Sequence, residues 1–163
     1  MIAEVFCLFG MHQTQHQVTI AVGDVHEDVE RAAGVARASY DAGLKGLRAN
    51  RKFDEVGEEM LEPVLAAGGW MRGPQIHGLN PLVPIARIPM NFGQLDHIER
   101  YPDLPGSVPA VDSDMIPEPG MTFAFEPSCG FGNRAVTIGG TVIVGDDGPA
   151  ELNPYTAQLL RAG

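Results

Sequence analysis

Positive charge is scarce in this 163-residue chain: Lys and Arg total 11 against 21 Asp and Glu, a formal net charge of −10. That balance excludes a nucleic-acid backbone or an anionic membrane as the main partner, because both are held by a basic face that releases counterions. Cysteine is nearly absent. Cys7 and Cys129 form no CxxC or other ligand spacing and read as two buried free thiols of a reducing, cytoplasmic setting. No apolar run is long enough to span a bilayer. The opening MIAEVFCLFGM is short, interrupted and without the basic flank of a signal peptide. The glycines at 130, 132, 139 and 140 lack a following Lys-Ser/Thr and a helix, which excludes a phosphate loop and leaves turn and bulge chemistry.

What is present is ordinary globular material. Hydrophobic residues make up 44%, and a chain of about 150 residues buries roughly 68–70% of its unfolded surface, enough for one domain with a core. The β-branched and aromatic runs at 4–9 and 16–22 predict an antiparallel hairpin over 4–22. From Val25 to Leu47 apolar residues recur every three or four positions, predicting a helix over 25–48 with Asp24 as its N-cap. A second helix is expected over 53–67, shortened or kinked at Pro63 and closed by Gly68-Gly69. Prolines crowd 71–118 too densely for long elements. This segment is expected to be an ordered active-site cover with short extended pieces such as Leu82–Ile88. Strands return within 121–145, and a terminal helix is expected over 154–162 with Pro154 in its first turn. No linker divides the chain, so residues 1–163 read as one domain.

Residues 119–148, PGMTFAFEPSCGFGNRAVTIGGTVIVGDDG, carry the one specific motif. The stretch resembles the C-terminal signature of the pita-bread hydrolases (creatinase, prolidase, Xaa-Pro aminopeptidase and methionine aminopeptidase), in which PGMVFTIEP is followed by a segment like RIEDTVLVTEDG. The resemblance implies an α+β chain: an incomplete pita-bread fold, with a curved antiparallel sheet and two long helices on one face. It places Glu126 on the metal-binding glutamate of the EP motif and Gly139 where the second glutamate belongs. The two aspartates of the family hairpin fall on Glu4 and Gln15. The family's histidine turn, GHGIGLxxHE, falls on GGWMRGPQIHG, with Trp70 in place of the ligand histidine and His77 in place of the catalytic one. A dinuclear hard-metal site needs several carboxylates and an imidazole, and this set does not supply them. The resemblance therefore implies a site with no metal and no other cofactor. The family's domain also carries further helix and strand ahead of the hairpin, so an open strand edge and a homodimer or higher oligomer are expected.

The chemistry left is that of His77 and Glu126. Histidine titrates near neutrality and moves protons in both directions, and Glu126 ends the apolar strand FAFE at the rim of a dry pocket. Glu4, Gln15, Trp70, Asn80 and Arg134 are the candidate substrate-binding residues around that pair. Trp70 either closes the pocket or packs against the helices. His12 and His16 share one hairpin face with Thr14, and two imidazoles alone make a poor metal site. His97 reads as surface loop. Creatinase works without a metal on a small zwitterionic amidine, so the resemblance implies a metal-independent hydrolase or lyase acting on a small polar or amide-containing molecule. Two alternatives stand beside it: a catalytically inactive binding or assembly module, and an Xaa-Pro-type metalloaminopeptidase whose ligands lie elsewhere.

Overall fold

The structure is a computed structural model and describes residues 1–83, 85–111 and 114–163. It opens with a hairpin of β1 (Ile2–Phe9) and β2 (His12–Val22). Gly10 and Met11 join the strands, both at positive φ (54° and 68°), as in the two-residue turns whose twist matches the flanking strands. The strands therefore reach farther toward the turn than the apolar runs indicate, and GMHQTQ is mostly strand.

Helix α1 (Glu27–Gly46) follows, then α2 (Phe53–Ala66). Asp24 is not the cap of α1. His26 takes that place, its Nδ1 accepting the Asp28 backbone N–H at 3.2 Å, with Glu27, Asp28 and Glu30 in the first turn where the helix dipole favours acids. Pro63 sits in the last turn of α2, which ends at Ala66. The helices pack together where Gly43 leaves room for the Met60 and Phe125 side chains, and Ser39 donates its hydroxyl to the Met60 carbonyl.

The remaining strands are β3 (Ile76–Gly78), β4 (Ala86–Ile88), β5 (Val108–Val111), β6 (Thr122–Phe125), β7 (Ser128–Phe131), β8 (Arg134–Thr137), β9 (Gly140–Val144), β10 (Pro149–Glu151) and β11 (Leu160–Ala162). Six form an antiparallel sheet in the order β10-β9-β6-β3-β4-β5, β7 and β8 pair separately, and β1-β2-β11 form a third sheet. A bridge between Gln17 and Gly139 ties the hairpin to the β8–β9 link. The helices cover one face. Tyr40, Phe53, Met60, Phe123 and Phe125 fill the layer against the large sheet, and Ala32, Ala36, Val64, Val136 and Ile138 form a second cluster beneath α1. The Tyr40 and Phe125 rings meet edge to face at 5.5 Å.

Several expectations are corrected by this architecture. Residues 154–162 are not a helix: Pro154–Thr156 make one 3-10 turn, and Leu160–Ala162 pair parallel with β2. The proline-rich segment is not loop throughout, since β3 and β4 are interior strands of the large sheet. Within the expected extended piece 82–88 only Ala86–Ile88 is strand, and Pro84 lies outside the described residues. Finally, Cys129 is buried but Cys7 is exposed. Among the described residues no helix is long and apolar enough to cross a membrane.

Candidate active site

Strand parity assembles the site. His77 lies opposite Ala124 in the β3–β6 ladder. Glu126 is two residues beyond Ala124, so its side chain and that of His77 leave the sheet on the same face, while Ile76 and Phe125 point into the helical core. The backbone of Glu126 is fixed just past β6 by its N–H bond to the Gln75 carbonyl at 2.8 Å. In the hairpin Glu4 pairs with Gln17 and Phe6 with Gln15, which puts all four side chains on one face. The Gln17–Gly139 bridge then turns that face toward Glu126.

The result is an open cavity of about 480 Å³. Glu4, Gln15, Gln17, Arg72, His77 and Glu126 line it, with Thr137 in the wall. Glu126 is 3% exposed, and its Oε1 is the point of convergence. The Gln17 amide donates to it at 3.1 Å, the Gln15 amide donates to it as well, and His77 Nε2 stands 3.6 Å away. The Gln15 amide also donates to Glu4 Oε1. The other ring nitrogen of His77, Nδ1, is 3.0 Å from the Gly78 carbonyl. Such a bond holds the ring orientation and leaves Nε2 facing Glu126. Burial pulls the His77 pKa down, but the hydrogen bond and charge of Glu126 outweigh it, and the net direction is up. Burial, then the neighbouring Glu126 charge, raises Glu4.

Of the expected site residues, Glu4, Gln15, His77 and Glu126 meet in this cavity, and Trp70, Asn80 and Arg134 do not. The Trp70 indole N–H donates to the Gly132 carbonyl at 2.8 Å, and its ring packs on Phe92 and over Gly130. Asn80 is spent on its own turn, accepting the Leu82 N–H at 3.0 Å, and lines a second cavity beside Leu79 and Pro81. Arg134 is exposed at the start of β8, beside Asn133 and 4.0 Å from Asp28, so it is no counter-charge for Glu126. His16 faces Thr156 at 3.1 Å on the opposite side of the hairpin. Past His77, no described residue of 78–118 lines this cavity. Gln17, Arg72 and Thr137 belong to the site without having been singled out in the sequence. The 13/15/17 alternation of glutamines carried the signal for Gln17. Nothing local marks Arg72 or Thr137. The Thr137 hydroxyl is buried without a partner among the described residues.

The dinuclear metal of the pita-bread hydrolases does not fit these residues. Gly139 has φ of +139°, and a Cβ there would overlap the Phe125 carbonyl oxygen, so no carboxylate stands or could be placed at that point without moving the chain. Trp70 supplies no donor atom to the cavity. Among the described residues no group of three or more His, Cys, Asp and Glu is arranged to hold a metal ion.

Comparison with known proteins agrees with the architecture. The model of metallopeptidase family M24 matches residues 1–146. A dipeptidase from Pyrococcus horikoshii superposes with a TM-score of 0.73 at 17% identity, covering 99% of this chain and 40% of its own. An Xaa-Pro dipeptidase from Bacillus anthracis gives 0.70 at 18%, covering 99% and 41%. A prolidase from Pyrococcus furiosus gives 0.68 at 14%, covering 93% and 40%. No curated protein matches. The chain thus spans about two-fifths of the length of these solved relatives. With its hairpin, two covering helices and EP strand in the order of that fold, the chain belongs to metallopeptidase family M24.

Proposed function

We propose that this chain carries out metal-independent hydrolysis or elimination on a small polar or amide-containing molecule, with His77 and Glu126 as the proton-transfer pair. The observation that carries the reading is His77 Nε2, 3.6 Å from Glu126 Oε1 on the wall of an open cavity. That separation is closed by one bridging water or a small side-chain shift. The raised His77 pKa keeps a protonated imidazole available closer to neutral pH. In hydrolysis a water adds to the carbonyl or amidine carbon and passes its proton to Glu126. The C–N bond breaks as the His77 imidazolium protonates the leaving nitrogen, and Glu126 then returns its proton to the ring. Arg72 and the Thr137 hydroxyl offer donors to the substrate. An exposed free thiol at Cys7 fits a cytoplasmic, reducing compartment.

Chelator-treated protein assayed against small amides, amidines and Xaa-Pro dipeptides tests the reading. Turnover is expected to survive the chelator and to fall about 10²–10⁴-fold in His77→Ala and in Glu126→Gln. Turnover that appears only on adding Mn, Co or Zn would restore the metallopeptidase alternative. A non-catalytic binding module is favoured by a different observation, the exposed apolar side chains of β1, and is the conclusion if no substrate turns over and both variants behave as wild type.

A further inference from the structure

We infer that Gln15 does in this chain the work of a bridging cation: its side-chain amide holds Glu4 and Glu126 together and bars divalent metal from the site. The inference rests on the metal-free reading above and names the residue responsible. Gln15 is 5% exposed, and its Nε2 donates to Oε1 of Glu4, from β1, and to Oε1 of Glu126, past β6. Two carboxylates brought together from separate sheets repel unless something positive stands between them. An NH₂ group with two N–H bonds answers that need as a cation would, with fewer charges. Its orientation is fixed from behind. Gln13 donates its amide to Gln15 Oε1 at 3.4 Å, so the Gln15 oxygen is engaged and its nitrogen faces the carboxylates. The Gln15 backbone is clamped to the Thr141 hydroxyl, by N–H at 2.9 Å and by C=O at 3.1 Å. A metal ion would have to expel the amide nitrogen, break the Gln13 bond to present the oxygen, and bind with no donor at Gly139. Hard divalent ions need more oxygen ligands than that leaves.

The test is a titration of the whole chain with Mn²⁺, followed by calorimetry and by the electron-spin resonance of the ion. Wild type is expected to show no stoichiometric binding in the micromolar range. Gln15→Glu keeps the shape and exchanges the donor for a third carboxylate. It is expected to bind one Mn²⁺ at least about tenfold more tightly and to melt higher when Mn²⁺ is present. The double variant with Glu4→Gln is expected to lose that gain. If Gln15→Glu does not fold alone, recovery of the folded protein on adding Mn²⁺ gives the same result, and failure to recover counts against the role. Stoichiometric Mn²⁺ binding by wild type, or no gain in Gln15→Glu, overturns it. The two proposals fail separately. Chelator-sensitive turnover sinks the metal-free mechanism, whereas chelator-resistant turnover with unchanged Mn²⁺ affinity in Gln15→Glu sinks only the assignment to Gln15.

Discussion

His77 is the residue on which the proposed chemistry and stability meet. Its ordinary pKa is 6.5 and the fold moves it upward, burial acting against and Glu126 acting for the charged ring. A histidine raised in the folded state stabilises fully below its unfolded pKa, and that contribution is lost as pH rises through the folded value. The stability difference between wild type and His77→Gln, measured by urea unfolding, should therefore be larger at about pH 5.5 than at about pH 8.5. A difference of the same size at both pH values would mean that the ring stays neutral and that the pairing with Glu126 is not ionic. The residues of this site are partly legible in the sequence. Glu126 and His77 are visible through the family motif, and Glu4 and Gln15 through their place in the hairpin. Trp70, Asn80 and Arg134 lie away from the cavity, each with its polar atoms engaged elsewhere. The Trp70 indole is held by the Gly132 carbonyl, distant in sequence, Asn80 by the N–H of Leu82 in its own turn, and Arg134 by the side chain of Asn133, and neither motif position nor nearness in sequence reports these directions.

At the scale of elements, the β8–β9 link sets how the hairpin meets the large sheet. Gly139 donates its N–H to the Thr156 carbonyl at 3.1 Å and accepts from Gln17 at 3.2 Å, and it does so at φ of +139°, with the Phe125 carbonyl against its Cα. A side chain there meets both a disfavoured backbone and a collision. Gly139→Ala is expected to cost at least about 2 kcal/mol in urea unfolding. A loss within about 0.5 kcal/mol would mean that the link relaxes freely. The hairpin and both helices are legible because their apolar periods are long and regular. The carboxyl-terminal segment is not. TAQLLRA has helix-forming residues, but so short a stretch is marginal as a helix, and the free edge of β2 captures Leu160–Ala162 instead. Strand β7 hides in a similar way, since SCGF reads as a turn and becomes a strand only because β8 pairs with it through Ser128–Thr137 and its neighbours. Partners distant in sequence decide both cases, and local propensity does not report them.

At the scale of the molecule, the outer edge of β1 is the conspicuous open surface. The strand runs eight residues at the end of the β1-β2-β11 sheet. Val5, Phe6, Leu8 and Phe9 are all exposed, Phe9 by 86%. Edge strands are ordinarily guarded by charge, proline, a bulge or brevity. Between Val5 and Phe9 there is no charge and no proline, and the register with β2 runs without a bulge. Such an edge is complementary to itself, and two copies placed antiparallel would cover each other's apolar side chains and exchange main-chain hydrogen bonds. Because Ile2, Ala3, Glu4 and Phe6 also line the cavity of His77 and Glu126, a strand added there would narrow its mouth. The chain is therefore expected to associate in solution through β1, with more than about 1,000 Å² of total interface. Light scattering at micromolar concentration should return at least twice the mass of one chain. Leu8→Lys together with Phe9→Lys should return a single chain with an unchanged far-UV spectrum, since neither side chain is buried in the monomer. A wild type that is already a monomer under those conditions would mean that β1 is not a self-association edge.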